Sequence, residues 1–308
     1  MSAPLDLLVV GDANPDLVLS GGDVVPAFGQ RERVVERATL TIGGSSAITA
    51  CAAARLGLRT ALVAAVGDDA LGRWMLEALT ERGVDVSGCV VRPDVATGVT
   101  VVLARPEDRA SLTAPGAMGV LREEMVGRER LAVTRHVHLA SLYLQPALTE
   151  GAVRIVRDAR AAGATTSADT GWDPTERWER PAVVDEVDLL VPNAGEAVAL
   201  AGASDGDLDV ALERLAAGGR TVAVTLGPDG AVARTGTAIV RAPAVAVEVV
   251  DTTGAGDTFT AGLIAGRLRG LGPEEALRLA CACGSLSTRA AGGTAGQPTL
   301  DEALAAAS

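Results

Sequence analysis

The chain has 308 residues, enough for one large α/β unit, and with 48% hydrophobic but only 2% aromatic residues its core must be built from Ala, Val and Leu. Asp and Glu (39) outnumber Lys and Arg (27) for a net charge of −12, which argues against nucleic acid or an anionic membrane as a partner. Every basic residue is arginine, and the absence of lysine excludes a Walker A loop, a Schiff-base lysine and a protein-kinase strand lysine together.

Met1-Ser2-Ala3-Pro4-Leu5-Asp6 reaches an acid with no basic stretch before it, which does not suit a secretion signal. No charge-free apolar run is long enough to span a bilayer. The expectation is a cytoplasmic protein. Leu5-Asp6-Leu7-Leu8-Val9-Val10-Gly11 reads as a buried first strand ending at a glycine. Asp12-Ala13-Asn14-Pro15-Asp16 leaves its carboxyl end, where open α/β sheets bind ligands. Asn14 and Asp16 either face a substrate there or form an Asx turn before Pro15. The stretch from Leu17 to Leu40 breaks the rhythm with Gly21-Gly22, Pro26 and a charged run from Arg31 to Arg37, and predicts strands and loops of a small appended sheet. Gly43-Gly44-Ser45-Ser46 opens a helix to Leu56, with serine capping it and Gly57 as the stop. The glycine pair either lets a substrate approach the backbone or simply starts the helix.

The stretch from Arg59 to Val66 predicts a second core strand, and Leu71 to Leu79 an amphipathic helix whose Trp74 and Met75 belong to the core. Val90-Val91 and the run from Gly98 to Leu103 read as further strands of the small sheet, since no helix separates them. Arg105 ends the second and could reach an anion. From Leu121 a clean alternation sets in. A helix to Leu131 precedes the strand His136-Val137-His138-Leu139, whose histidines read as structural. A helix from Thr149 to Ala162, a strand from Thr165 to Ala168 ending in Asp169, and a strand from Val187 to Val191 follow. Two helices then lead to the strand from Thr221 to Thr225. Cys51, Cys281 and Cys283 lie in Ala-rich helical stretches as small core residues, and no C-x-x-C pair suggests zinc. Such alternation argues for a mainly parallel sheet covered by helices on both faces. One α/β domain is expected over 1–308, with a lid from about 17–40 and 90–112.

The most informative stretch comes late. The apolar run from Val245 to Val250 stops at Asp251, a turn of small residues follows, and a helical pattern opens at Phe259. Gly254-Ala255-Gly256 leaves backbone N–H groups bare at a helix start, which attracts phosphate oxygens. Asp257 places a carboxylate inside that anion site, where its evident task is to take a proton from an attacking hydroxyl. On the residues alone, Asp257 could equally cap the helix.

The run from Asp251 to Phe259 resembles the C-terminal signature of the PfkB (ribokinase-like) family of sugar and nucleoside kinases. Gly43-Gly44 through Gly57 and on to Gly67-Asp68-Asp69 is similar to its N-terminal signature. Asn14-x-Asp16 matches a substrate motif, Asn193-x-x-Glu196 a magnesium and phosphate motif, and Thr225-Leu226-Gly227-Pro228-Asp229-Gly230 a nucleotide loop. The resemblance implies a ribokinase-like, Rossmann-type sheet with a β lid, and ATP-dependent phosphorylation of a small sugar. A nucleoside is the alternative substrate, and an inactive sugar-binding regulator the alternative function. It implies Asp257 as base, the amides of Gly254, Ala255, Gly256 and Asp257 as an anion hole, and Asn193 and Glu196 holding Mg²⁺ through water. Without that context the pair would read as a capping box. Thr225, Gly227 and Gly230 would pass the nucleotide, while Asn14, Asp16, Gly43 and Gly44 would grip the substrate. Asp251 and Thr253 resemble positions that hold a monovalent cation such as K⁺ in some members. Position 48, often Asn in the family, is Ile48, which argues against the usual ribose grip. Phe28 in the lid could supply a stacking ring, and the helix at Cys281 has no aromatic clamp for adenine. A small sheet exposing an edge and an apolar face predicts a homodimer through the lid.

Overall fold

The computed structural model describes residues 4–105, 109–203 and 206–308; Met1 to Ala3 of the N-terminal stretch and positions 106–108 of the expected lid lie outside the described residues. The apolar run after Pro4 forms β1 (Leu5–Val10). Its side chains alternate between two cores, Leu7 and Val9 in one cluster, Leu8 and Val10 in the other. That is the two-residue period of a strand buried on both faces. Strands β2 (Asn14–Gly22) and β3 (Val35–Gly43) pair antiparallel, with Asn14 opposite Gly43. Helix α1 (Ser45–Arg55) starts at Gly44, whose φ of 84° suits glycine. No serine caps it, contrary to expectation. Asp12 reaches over from the end of β1 and accepts Ser46 N at 2.9 Å and Ser45 N at 3.2 Å. A carboxylate outcompetes a hydroxyl for the open amides and positive end of a helix.

The expected strand 59–66 divides into β4 (Thr60–Val63), which pairs with β1, and β5 (Ala65–Gly67). Helix α2 (Ala70–Glu81) buries Met75 and Leu79, with Trp74 packed against the same cluster. Strand β6 (Val90–Arg92) pairs with β5, and Val90 N is already committed to Ala64 O at 2.8 Å. The segment at Val90 therefore does not belong to the expected lid. The second half of the small sheet consists of β7 (Val99–Ala104) and β8 (Arg109–Ala114), and the sheet has the order β3-β2-β7-β8. Its first half spans the whole of β2 and β3 rather than 17–40.

The helix expected from Leu121 to Leu131 is also different. Two 3-10 turns, Gly116–Val120 and Glu123–Met125, precede a single turn, α3 (Arg128–Leu131). Gly127, at φ 76°, interrupts the helix. Beyond it β9 (Thr134–Leu139), α4 (Pro146–Ala161), β10 (Thr165–Ala168), β11 (Leu189–Leu190), α5 (Ala194–Ala201), α6 (Leu208–Ala216) and β12 (Thr221–Thr225) alternate as predicted. Strands β13 (Ala231–Thr235) and β14 (Ala238–Ala242) return antiparallel. The large sheet has the order β14-β13-β12-β11-β10-β9-β1-β4 and is parallel from β12 to β4. Helices α1, α2, α7 (Ala255–Leu268), α8 (Pro273–Ser287) and α9 (Leu300–Ala307) pack on one face, and α4, α5 and α6 on the other. With so few aromatic rings, close approach replaces bulk. A Cβ on Gly262 would meet Cys283 Sγ at 2.8 Å, and one on Gly266 would meet Ala276 Cβ at 3.0 Å. Such contacts reach interior density with small side chains. Among the described residues no helix is long and apolar enough to cross a membrane.

His136 and His138 are buried in β9, and burial pushes each down to about 3, so both stay neutral. Both rings bond Ser167 Oγ, at 2.7 and 2.8 Å. At the amino end of the strands, Asp6 joins β1 to its neighbours, accepting Arg59 Nε at 3.1 Å and Arg135 Nη1 at 3.0 Å. Burial works against the charge on Asp6, but the bonds from Arg59 and Arg135 outweigh it and lower the pKa from 3.8 to about 2. A depressed carboxylate contributes stability above its unfolded pKa and loses it as pH falls through the folded one. Asp6→Asn is expected to lose about 1 kcal/mol at pH 7 in urea unfolding, less than the whole shift because Arg59 and Arg135 are half exposed and screened by solvent. The gap should narrow as pH falls from about 4 toward about 2; an unchanged urea midpoint at pH 7 contradicts this.

Candidate active site

Because the central strands run parallel, their carboxyl ends open on one edge, where ligands of α/β sheets bind. Asp12 follows β1, Asp169 follows β10, Asn193 lies just beyond β11, and Thr225 ends β12. Strand β2 begins and β3 ends at the same place, which brings in Asn14, Asp16, Gly43 and Gly44. The two glycines make room for acids. A Cβ on Gly43 would lie 2.0 Å from Asp16 Oδ1, and one on Gly44 3.1 Å from Asp12 Oδ2 and 3.0 Å from Asn14 Oδ1. Asn14 Nδ2 donates to Thr100 Oγ1 on β7 at 3.0 Å. Burial, then the charge of Asp12, pushes Asp16 up to about 7.

Opposite this group, α7 begins at the predicted turn. Gly254 is its N-cap, with φ 73°, and the helix runs for 14 residues. The N–H groups of Gly254, Gly256 and Asp257 have no hydrogen-bond partner among the described residues, and Ala255 N makes only a 3.3 Å contact with Thr252 O. Asp257 keeps part of its surface open. The protein crowding its carboxyl, then the charge of Asp12, raises its pKa to about 7, while a hydrogen bond from Ser45 opposes the rise. Thr49 Oγ1 on α1 donates to Asp257 O at 3.4 Å. Ile48 is buried and packs beneath the turn, so that a Cβ on Gly254 would meet its Cγ2 at 2.9 Å.

Asn193 and Glu196 do form the capping box that their spacing allows. Asn193 Oδ1 accepts Glu196 N, and Glu196 Oε2 accepts Asn193 N, both at 2.9 Å. Asn193 also bridges to Thr225. Glu196 is raised by burial. Asp169 is raised well above its ordinary value by burial and then by the charge of Glu196. Two carboxylates raised by burial suit a hard oxygen-seeking cation held through water, since no cluster of three metal-ligating side chains forms among the described residues.

A cavity of about 550 Å³ lies between the β12 turn and the start of α7. Thr225, Gly227 and Gly230 line it together with Ala255 and Gly256. The run from Val245 to Val249 and helix α8 at Cys281 and Gly284 supply an apolar wall. The expected lack of an aromatic ring here holds for α8, but Phe259 from α7 lines the same space. Phe28 is 97% exposed and makes no ring contact among the described residues. Beside the turn, Asp251 accepts Thr253 N and Gly292 N, both at 2.8 Å. Burial acts to raise Asp251, but those bonds prevail and keep it below its ordinary value.

Sequence reasoning missed three residues. Asp12 and Asp169 carried a usable signal, an acid directly beyond the carboxyl end of a central strand. Arg109 carried none. It opens β8, 144 positions from Thr253, yet its Nη1 donates to Thr253 Oγ1 at 2.9 Å. Arg105, which could reach an anion but reads first as a surface residue, is exposed.

Fold and site together define a ribokinase-like phosphotransferase of the carbohydrate-kinase class. The chain belongs to the pfkB family of carbohydrate kinases, whose pattern matches residues 5–300. It is 33% identical over 302 residues to an ATP-dependent ribose-1-phosphate kinase of Halopiger xanaduensis, covering 97% of both chains. It is 30% identical over 277 residues to a 2-dehydro-3-deoxygluconokinase of Bacillus subtilis, covering 85% of both. Among solved structures, Arabidopsis thaliana ribokinase complexed with ribose and ATP superposes with a TM-score of 0.85 at 26% identity, over 99% of both chains. A protein of E. coli described as a ribokinase II, in complex with ATP and Mg²⁺, gives the same TM-score and identity over 97% of both.

Proposed function

We propose that this kinase transfers the terminal phosphate of ATP to a hydroxyl of a small sugar, with Asp257 as general base. The observation that carries the reading is the open amide turn from Gly254 to Asp257, set against a partly exposed acid whose pKa is raised to about 7. An acid near neutrality can take a proton and is half ionised at working pH. Amides preorganised on a helix start receive the charge that spreads over the migrating phosphoryl group. Asn14 and Asp16 would hold acceptor hydroxyls, helped by the close backbone approach at Gly43 and Gly44. The nucleotide would lie in the cavity along Thr225, Gly227 and Gly230, its phosphates pointing at Gly256.

Mg²⁺ keeps several waters and takes substrate phosphates alongside one or two carboxylates. Glu196, with Asn193 as its capping partner, and Asp169 would hold it through water, where it would neutralise charge on the phosphates. Asp251 and Thr253 are the residues that would hold K⁺, and a cation there would compete with the Arg109 guanidinium, 2.9 Å from Thr253 Oγ1 and 4.0 Å from Asp251 Oδ1. All four cysteines are free, which suits the reducing cytoplasm.

The test is a Mg·ATP-coupled screen over pentoses, ketohexoses, 2-dehydro-3-deoxygluconate and nucleosides, with and without K⁺. Turnover of a sugar supports the reading. Turnover confined to nucleosides moves it to the alternative substrate class, and ATP binding without turnover of any acceptor points to the inactive regulator. A homodimer through the small sheet is also expected. Strands β3 and β8 are its edges, and Val34, Leu40 and Leu112 are exposed on or beside them. Light scattering at micromolar concentration should give twice the chain mass, and Leu112→Glu should halve it; a monomeric wild type contradicts this.

A further inference from the structure

We propose that the acceptor of this kinase is an uncharged polyhydroxy compound, and that Asp12, by occupying the start of α1, turns away acceptors that carry a phosphate or carboxylate. The inference rests on the kinase reading above and names the class of its acceptor. Two helices begin at this site, and their starts differ. The start of α7 keeps its amides open, and a helix start in that state draws phosphate oxygens. The start of α1 is plugged. Asp12 accepts Ser46 N at 2.9 Å, Ser45 N at 3.2 Å and Ser141 Oγ at 2.9 Å, and it is only 3% exposed. The helix end that could draw an anion in beside Asn14 and Asp16 is thus already filled by a fixed carboxylate.

The other polar side chains at this end call for hydrogen-bond donors. Asn14 uses both protons of Nδ2, on Asp16 Oδ1 at 3.3 Å and on Thr100 Oγ1 at 3.0 Å. Thr100 Oγ1 is paired in turn with Thr113 Oγ1 at 3.1 Å. What remains beside Gly43 and Gly44 is oxygen. A Cβ on Gly44 would lie 3.0 Å from Asn14 Oδ1 and 3.1 Å from Asp12 Oδ2, and one on Gly43 2.5 Å from Asp16 Oδ2. Sugar hydroxyls donate protons to such oxygens, whereas a phosphate or carboxylate brings acceptors in their place. Charge points the same way. Burial, then the charge of Asp12, already holds Asp16 up at about 7, so a further negative group meets repulsion. Arg109, whose charge eases Asp16, is held at the α7 turn, 2.9 Å from Thr253 Oγ1. Arg37, opposite Ser20, and Arg105, beyond Ala104, lie farther along the small sheet than the pairs of Asp16 with Thr41 and Thr100. A like charge ~5 Å from Asp12 at an effective dielectric of about 20 weakens binding roughly 10²-fold.

The experiment measures kcat/KM at saturating Mg·ATP for matched pairs, a pentose against its phosphate ester and a ketohexose against 2-dehydro-3-deoxygluconate. In wild type the uncharged member of each pair should lead by at least ~10²-fold. Asp12→Asn removes the charge and keeps the shape, so at any overall rate it should narrow that ratio at least ~10-fold. Asp12→Ser, whose hydroxyl can still cap α1, is the second variant and should narrow it likewise. Calorimetry on wild type with Mg·ADP bound reads the same preference without turnover. Three outcomes overturn the proposal: a best acceptor that carries a phosphate or carboxylate, a charged member that matches its uncharged partner, or a ratio unmoved in both variants. The first of these leaves the kinase reading intact, since phosphate is still transferred. If no acceptor turns over, the kinase reading fails. Tighter calorimetric binding of the uncharged members then sustains this inference, and binding no tighter than that of the charged ones overturns it.

Discussion

Asp257→Asn is expected to abolish turnover while leaving nucleotide binding intact. The amide keeps the shape of the carboxylate and loses its ability to accept a proton. Removing a positioned general base costs about 10²- to 10⁴-fold, so kcat should fall by at least ~10²-fold. Titration calorimetry with a non-hydrolysable ATP analogue should give an affinity close to wild type, because the cavity is lined mainly by other residues. The pH profile supplies an independent check. Asp257 must be ionised to act, and its pKa is raised to about 7. Wild-type kcat/KM should therefore climb through about pH 7, and the residual activity of the variant should lack that limb. Stability moves the other way. The unfolded acid ionises near 3.8 and the native one near 7, so the native state holds the extra proton and stability falls across that window as pH rises. Asp257→Asn should therefore melt higher than wild type at about pH 8 and no differently at about pH 4. Near-normal kcat in this variant removes Asp257 as the base.

Gly254→Ala is the second large effect. Gly254 has φ 73°, and an added Cβ would lie 2.8 Å from Gly293 O, a backbone atom that cannot swing aside. Either the amide turn tilts or the Gly293 segment moves, and Gly292 in that segment bonds Asp251. Loss of one donor to a developing oxyanion costs about 10²- to 10³-fold in kcat, and a tilted turn misplaces several. Gly256→Ala tests folding alone, because Gly256 lines the nucleotide cavity and its activity is not a control. Nothing lies within 4 Å of a Cβ there and the backbone is ordinary for an L residue, so its amide stays in position and folding should be unaffected. Wild-type kcat in Gly254→Ala, measured with saturating Mg·ATP, detaches the turn from phosphoryl transfer.

These two residues also mark how far a linear reading reaches. The turn at Gly254 was legible because a strand-like run, two glycines and an acid are contiguous, and local backbone physics acts over a few residues. The Asn193 and Glu196 spacing was legible as well, but it encodes a capping box and a ligand pair equally. The small sheet was legible only in part. Val90 looks like any other strand residue, and its bond to Ala64 depends on where the core strand ends. Ile48 read as a lost polar contact, whereas in the fold it fills the space under Gly254 and Gly293.

By itself the sequence determined the period of each strand and helix, the glycine turn with its acid, and the exclusion of lysine chemistry. All of these are set by neighbours in the chain or by composition. Tertiary structure alone decided that Asp12 caps α1, that Asp169 and Glu196 are both buried at the carboxyl ends of the strands, and that Arg109 meets Thr253. Those contacts join residues far apart in the chain. Their energies depend on burial and on distances between charges, and neither exists until the sheets have closed.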